Sequence, residues 1–219
     1  MKAAFSVEIS NDIPLHTKDW NEYRPFKFLC GSIKFSNEDV GYRTFQTAQS
    51  MLDYLLLFCD SNMYSWNGLG FGFAVLADSV NRPFLCSQFA KNHTDMMFDF
   101  FCRHGYPISL MSVAKGFGFD KEVEAIIFRN NNVADWAKRG QNDLIEELSR
   151  MKADLILRVV EKAEDSGGLV WINGRGERAM ETIDHFHPVH EAILLPEPDV
   201  SWMSDPMSRE SFTKWQQTV

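Results

Sequence analysis

The stretch "SWNGLGFGF", Ser65–Phe73, lies where the strand-like first part of the sequence gives way to a largely helical pattern. The segment "MYSWNG" predicts a short buried strand that ends at Asn67 and Gly68. Gly72 needs a separate explanation, because a glycine inside an apolar run indicates close packing or a positive φ angle. The residues around this stretch determine which interpretation of Gly72 applies.

Before this stretch the sequence predicts strands and one helix. Alternation in "AAFSVEI" around Phe5, Val7 and Ile9 predicts a strand. The segment "PFKFLCGSIKFS" has the same period, and Gly31 in its middle predicts a bulge or a tight turn between two short strands. Apolar residues at helical spacing over 45–59 predict an amphipathic helix.

After this stretch helices dominate the prediction. The segment "NHTDMMFDFFCRHG" begins with a Thr/Asp cap and ends at Gly105, and "ISLMSVAKGFG" begins at Ser109 and ends before Gly116. The longest predicted helix covers about 142–164 with one apolar face. "LVWI" then predicts one more strand. Strands, an interposed helix and a helical half favour the α/β class, with a mixed sheet covered by helices.

The end of the sequence has no clean period but carries large aromatic residues. Exposure of Trp202, Phe212 and Trp215 would be costly, so we expect an ordered segment that packs on the rest of the chain. The predicted organisation is one domain over 1–173 and a C-terminal extension over 174–219 that wraps the same domain.

Composition limits the function further. The 219 residues are 45% hydrophobic, and no apolar run is long enough for a membrane span or a signal peptide, so a cytoplasmic protein is expected. The cysteines contain no C-x-x-C pair, which predicts reduced structural thiols; they are Cys30, Cys59, Cys86 and Cys102. A formal charge of -8 disfavours non-specific attraction to nucleic acid but permits a local basic groove.

Six segments together resemble a bacterial family of ribonuclease H-like 3'-5' exonucleases, the DEDD group, related to the proofreading domains of DNA polymerases. They are "FSVEI", "SWNGLGFGF", "NHTDMMFDFF", "YPISLMSVAKGFGF", "KADLILRV" and "LPEPDVSWM...RESFTKW". The resemblance implies a ribonuclease H-like fold in which four carboxylates of active members hold two divalent ions. One ion prepares the attacking water and the other stabilises the leaving oxygen.

The family's four acid positions correspond to Ser6, Glu8, Gly72 and Asp154. Two of the four acids are therefore missing, and a tyrosine position of the family corresponds to Arg150. We expect Glu8 and Asp154 to hold at most one weakly bound Mg²⁺ or Mn²⁺, or no cofactor at all. Two-metal catalysis should be badly impaired.

Arg150 suggests a second use of the same site. Arg150, Asp154 and Arg158 follow one another at helical spacing and share a face. One hypothesis is that Arg150 supplies positive charge where a metal ion would be, so that the cleft holds a phosphate without cutting it. The alternative is an ordinary surface salt bridge.

Four other residues match the resembling segments and have two interpretations each. Asn67 and His93 could contact substrate, although a hydrogen-bonded histidine at a helix entry is the simpler role for His93. Asp95 could cap a helix or line the cleft. Lys115 could contact a phosphate or favour a helix C-terminus.

Two further groups of residues are candidate metal ligands. His185, His187 and His190 lie close together, but their spacing matches no metal motif. Asp12, Asp60 and Asp78 could replace the missing acids, and surface turns explain them equally well.

The sequence leaves three functions open. The first is a non-cleaving or very weakly cleaving protein with an exonuclease fold that binds single-stranded DNA or RNA at 3' ends, or a partner protein. The second is an active metal-dependent 3'-5' exonuclease with a rebuilt or reduced site. The third is a structural protein whose old cleft is closed by Arg150 and Asp154.

Overall fold

The computed structural model describes residues 1–11, 13, 20–58 and 62–217. Five strands form a mixed sheet in the order β3-β2-β1-β4-β5. Their bounds are Lys2–Ile9 for β1, Phe28–Phe35 for β2, Tyr42–Phe45 for β3, Asn62–Ser65 for β4 and Thr94–Asp95 for β5. β1 is central, antiparallel to β2 and parallel to β4, while β3 and β5 form the two ends.

Nine helices accompany the strands in the described part of the chain. They are α1 (Ala48–Leu56), α2 (Phe73–Val80), α3 (Pro83–Asn92), α4 (Met96–His104), α5 (Leu110–Gly116), α6 (Asp120–Asn130), α7 (Val133–Lys138), α8 (Asn142–Ser166) and α9 (Val189–Ala192). A second sheet contains only β6 (Gly168–Ile172) and β7 (Arg178–Thr182). The expected α/β architecture, a mixed sheet with flanking helices, is confirmed.

The sheet separates two hydrophobic cores. Alternate residues of β1 point to opposite faces, so Ala3, Phe5 and Val7 pack in the core with α1 and α2, while Ala4 packs in the core with α5, α6 and α8. The same alternation places Ser6 and Glu8 on the α8 side. α8 lies across β1 and β2 and therefore covers the face that carries Glu8.

Gly31 is not the boundary between two short strands, as its sequence suggested. β2 is one continuous strand in which Gly31 pairs with Val7 on one side and Phe45 on the other. A Cβ atom at Gly31 would lie 2.3 Å from Met51 Sδ, so the glycine lets α1 approach the sheet. The register of the β1–β2 pair shifts between Glu8 and Ile9, whose partners are Cys30 and Phe28, so the extra residue is Leu29 of β2.

Several predicted boundaries are confirmed. α4 begins after Asp95 and ends at Gly105, which adopts φ 78°. Ser109 caps α5 by accepting from Ser112 N. α5 includes Gly116, one residue beyond the predicted end, and α8 extends to Ser166 before Gly167 adopts the left-handed conformation.

The described part of the C-terminal segment is partly buried. Phe212 and Trp215 are 4% and 1% exposed, and Trp215 Nε1 donates to Leu69 O, which lies in the opening stretch. Trp202 is 68% exposed, so the expectation that it is covered was wrong. Its ring instead lies on the surface against Tyr106, with 6.1 Å between ring centroids.

The β6–β7 hairpin spans the boundary at 173/174 that the sequence suggested between domain and extension. β7 lacked a clear signal in the sequence. Cys30, Cys86 and Cys102 are free and buried, whereas Cys59 lies outside the described residues. No helix in the described ranges is long and apolar enough to cross a membrane.

Candidate functional site

Glu8 is buried beneath α8 and is paired with Lys152. Lys152 Nζ lies 2.8 Å from Glu8 Oε1 and 2.9 Å from Oε2, and it also donates to Asn130 Oδ1 at 2.9 Å. Glu8 is only 5% exposed, so little water competes for its charge. The ammonium group of Lys152 therefore balances the charge of Glu8.

The surroundings of this ion pair are polar but closely packed. Cys30 lies opposite Glu8 on β2, and burial together with the charge of Glu8 raises the pKa of the Cys30 thiol to about 12. The thiol is consequently protonated at neutral pH and unsuited to nucleophilic chemistry. Ser149 of α8 donates its hydroxyl to Ser6 O at 3.3 Å, which anchors the helix to β1.

Asp154, the second acid of the predicted site, has different partners. Tyr42 on β3 donates its hydroxyl to Asp154 Oδ1 at 3.0 Å, and Arg158 Nη1 lies 3.7 Å from Asp154 Oδ2. Burial and the charge of Asp154 raise the pKa of Tyr42 to about 12, which keeps Tyr42 a donor. Within the described ranges no hydrogen bond or ion pair joins Glu8 to Asp154.

Gly72 is explained by close packing and not by a positive φ angle. It lies at the end of a π-helical turn, Gly68–Gly72, with φ -55° and ψ -50°. A Cβ atom there would approach Phe5 Cε2 to 2.8 Å. Phe5 points into the α1–α2 core, so Gly72 contacts the face of β1 opposite to Glu8.

Asp95 is a buried hydrogen-bond centre. Its carboxylate accepts the backbone N–H groups of Met97 and Phe98 at the start of α4, and those of Asn67 and Leu69 at the π-helical turn. Burial raises the pKa of Asp95 to about 6, while the four N–H donors act in the opposite direction. Asp95 therefore caps α4, as one interpretation predicted, and also fixes the stretch that contains Gly72.

Asn67 adopts the left-handed conformation with φ 61° immediately before the π-helical turn. Its carbonyl oxygen accepts from Phe71 N and Gly72 N. The segment from Asn67 to Gly72 is thus held by its own backbone as well as by Asp95.

His93 belongs to a buried chain of hydrogen bonds. Ala90 O can only accept, so His93 Nδ1 donates to it at 2.7 Å, and Nε2 accepts from Ser65 Oγ at 2.9 Å. Ser65 Oγ accepts in turn from Gly68 N at 3.1 Å. Burial lowers the pKa of His93 to about 4, so the imidazole is neutral and structural in this position.

Neither Lys115 nor Arg150, the two predicted phosphate contacts, pairs with Glu8 or Asp154 among the described residues. Lys115 is exposed in the last turn of α5, which matches the favourable interaction of a cation with a helix C-terminus. Arg150 Nε donates to Glu146 O at 3.4 Å within α8. In the described part of the chain the ion pair of Asp154 is with Arg158 and not with Arg150, and Arg158 also pairs with Glu122 at 2.9 Å.

A surface groove of about 500 Å³ lies between β3 and the outer side of α8. Its lining consists of one tyrosine, three acids, one arginine and two apolar residues: Tyr42, Asp143, Glu147, Asp154, Arg150, Leu144 and Met151. Asp154 and Arg150 are therefore groove residues, whereas Glu8 lies under the helix.

The remaining candidate ligands form no metal-binding group in the described part of the chain, although the rings of His185 and His187 lie 4.3 Å apart between centroids. Asp78 is a structural acid that pairs with Arg24 and accepts from Phe26 N at 2.7 Å. His187 Nδ1 contacts the buried Asp99 at 2.9 Å, and His190 Nδ1 contacts Lys91 O. Asp12 and Asp60 lie outside the described residues. Among those described, no three His, Cys, Asp or Glu side chains are grouped so that they could hold a metal ion.

Lys152 is a site residue that the sequence patterns did not predict. The apolar face of α8 includes Leu148 and Leu155, and half-buried Met151 packs at the edge of this face beside the groove, whereas Lys152 points to the sheet. The spacing Leu148, Lys152, Leu155 is an equally good helical stripe. A lysine on a buried stripe was the available signal for a buried acid opposite it.

Comparisons of the chain with protein-family models, with curated proteins and with solved structures find no match.

Proposed function

We propose that the chain is a non-cleaving binding protein built on an architecture that resembles the ribonuclease H-like 3'-5' exonucleases. The observation that carries this proposal is the ion pair between Lys152 and Glu8. Catalysis by two Mg²⁺ ions requires carboxylates that are free to coordinate metal, about 4 Å apart in charge-rich surroundings. Here the ammonium group of Lys152 already neutralises the carboxylate of Glu8, so this carboxylate is not free to coordinate a metal ion.

The geometry of the other acid positions supports the same proposal. Gly72 offers no side chain, and an aspartate there would require Phe5 to move. Asp154 contacts Tyr42 at the groove, while Glu8 contacts Lys152 under α8. Two divalent cations need several carboxylates directed at one point. Glu8 and Asp154 are too few for this, and they point to different partners.

The charge of the groove favours a protein partner over nucleic acid. Asp143, Glu147 and Asp154 line the groove with Arg150, and Arg129 and Arg158 pair with two of these acids. A phosphate backbone would find no excess of positive charge on this surface, whereas its binding depends on neutralisation by lysine and arginine. The formal charge of -8 acts in the same direction.

The first test is a nuclease assay with the full chain. Single-stranded oligonucleotides labelled at the 3' or the 5' end are incubated with Mg²⁺ or Mn²⁺, beside a Glu8→Gln variant. We expect both labelled oligonucleotides to stay intact at enzyme concentrations above that of the substrate, with no difference between the native chain and the variant.

Loss of the 3' label by the native chain, abolished by Glu8→Gln, would overturn the proposal in favour of an active exonuclease. Cleavage that persists in Glu8→Gln and co-purifies with the chain would overturn it as well, in favour of an exonuclease site rebuilt around other acids. Tight binding of the intact oligonucleotide would retain the non-cleaving function but replace the protein partner with nucleic acid.

A further inference from the structure

The strand β3 forms an open end of the five-stranded sheet. It pairs with β2 on one side; no described strand pairs with its other side, where Arg43 Nη1 donates to Tyr42 O at 3.1 Å. An unpaired edge is a template for another extended segment. α1 and α8 flank β3 on the two faces of the sheet, so an added segment would lie between them.

The register identifies which backbone groups face outward. Phe35 N donates to Gly41 O, and the register then places Arg43 and Phe45 in the positions that bond to β2. Hydrogen-bonded and non-bonded positions alternate in antiparallel pairs. Tyr42 and Thr44 therefore direct their N–H and C=O groups away from β2. The carbonyl of Tyr42 already accepts from Arg43 Nη1, so an added strand would bond mainly to the two N–H groups and to the carbonyl of Thr44.

The side chains beside this edge define the chemistry of a partner. Tyr42 reaches Asp154, so the α8 side of β3 opens into the groove. Half-buried Leu144 and Met151 provide apolar contact there. The rim carries three carboxylates, and the side-chain exposure of Glu147 and Asp154 is 47% and 29%.

Two of the three rim carboxylates have counter-ions within the protein. Arg129 of α6 pairs with Glu147 at 2.7 Å, and Arg158, one turn along α8 from Asp154, lies 3.7 Å from it. Lys34 lies over the Tyr42 ring at 4.6 Å and is paired with Glu38. Asp143 is exposed at the start of α8 and has no ion pair within the described ranges.

We infer that β3 and the α8 groove bind an extended peptide segment of a partner protein in which basic residues alternate with apolar ones. The segment adds as a sixth strand through Tyr42 and Thr44, and its basic side chains on the α8 side meet the carboxylates of the rim. This inference rests on the proposed function of a non-cleaving binding protein and names the class of its partner.

A second copy of this chain fits the same edge poorly. Pairing of β3 with β3 would bring two acidic grooves together, and the formal charge of -8 on each copy would oppose it. Neither the carboxylates of the groove nor the net charge of the chain opposes the approach of a basic segment. Side chains alternate across a strand, so only every second residue of the segment needs to be basic.

The test uses a fluorescein-labelled peptide of seven residues in which lysine and valine alternate, measured by fluorescence anisotropy against the full chain. The matched probes are a glutamate–valine peptide of the same length, a scrambled peptide with the lysines contiguous, and a lysine–valine peptide N-methylated at alternate amides. We expect the first peptide to bind at least about tenfold more tightly than each matched probe.

Two protein variants separate backbone pairing from charge. Thr44→Pro removes an outward N–H without removing a bond to β2, and Thr44→Val is its control. Asp154→Asn removes one charge while keeping an acceptor for Tyr42, and Glu124→Gln, an exposed acid on α6, is its control. We expect Thr44→Pro and Asp154→Asn each to weaken binding several-fold, with both controls near the native value.

Equal binding of the alternating, scrambled and N-methylated peptides would overturn the inference, because charge alone would then explain the affinity. Absence of binding by every peptide would overturn it as well. The N-methylated peptide keeps the test decisive if Thr44→Pro fails to fold. The nuclease assay is independent of these results, so cleavage would refute the proposed function without deciding whether the edge binds a peptide.

Discussion

Lys152 and Glu8 depend on each other because both charges are largely removed from water. The exposed fraction of the side chain is 18% for Lys152 and 7% for Glu8. Breaking a buried pair by removing one partner is typically far more costly than replacing both with neutral groups. The pair is thus expected to act as one unit in stability as well as in blocking metal.

Lys152→Met should lower the free energy of unfolding by about 3–5 kcal/mol, since it leaves the carboxylate of Glu8 buried without a counter-charge. The double variant Lys152→Met with Glu8→Gln should recover most of that loss. Urea unfolding of the native chain, the two single variants and the double variant measures the coupling. Additive losses in the double variant would contradict the role of the pair.

His93 predicts a dependence of stability on pH. Burial lowers its pKa from 6.5 to about 4, so the unfolded chain binds more protons than the folded chain between these values. The contribution of His93 is therefore fully present above pH 6.5 and is lost as the pH falls to 4. The total loss should be about 3 kcal/mol.

The comparison of native chain and His93→Gln isolates this effect. Asp95 opposes it, because its raised pKa makes the folded chain the stronger proton binder between 3.8 and about 6. Subtracting the unfolding free energies of His93→Gln from those of the native chain removes the contribution of Asp95. The difference should fall with decreasing pH, and a difference that stays constant from pH 6.5 to 4 would contradict the role of His93.

At the scale of elements, Asp95 joins the beginning of α4 to the π-helical turn. Its loss leaves four backbone N–H groups without their acceptor. Asp95→Ala should cost about 2–4 kcal/mol, because buried unsatisfied donors carry a desolvation penalty. Ser109→Ala removes a cap that accepts one N–H group and should cost about 1 kcal/mol. Equal losses in urea unfolding would show that the contacts of Asp95 with the turn add nothing.

The elements with a strong period were predictable from sequence. β1 and α8 each follow a clear pattern of two or 3.6 residues, and the caps at Asp95 and Ser109 have side chains that serve only a few local purposes. Gly31 misled because close approach of α1 and a turn both select glycine, and only tertiary packing distinguishes them. β7 alternates between exposed and half-buried residues and leaves little apolar signal.

The candidate site was less predictable than the fold. Matching of segments placed Glu8 and Asp154 in one site, but the rotation of α8 decides which of its residues faces the sheet. A shift of two residues along a helix turns a side chain by about 200°. Lys152 and Asp154 differ by that amount, and the structure directs the former to Glu8 and the latter to Tyr42.

At the scale of the whole molecule, charge and sheet order act together. The formal charge of -8 attracts basic partners over a distance of about 10 Å at moderate salt. β3, the strand beside the acidic groove, is also the antiparallel end of the sheet. The proposed addition of a strand at β3 therefore takes place at the end of the sheet that lies beside the carboxylates of the groove.

β1 separates the two hydrophobic cores and contributes side chains to both. Ala3 and Phe5 belong to one interior and Ala4 to the other, so neighbouring residues of a single strand serve different interiors. Side chains of one core can be substituted without changing the packing of the other core, provided that the backbone of β1 stays in place. The side chains of each core can therefore change independently of those of the other core, whereas the backbone of β1 has to be conserved for both.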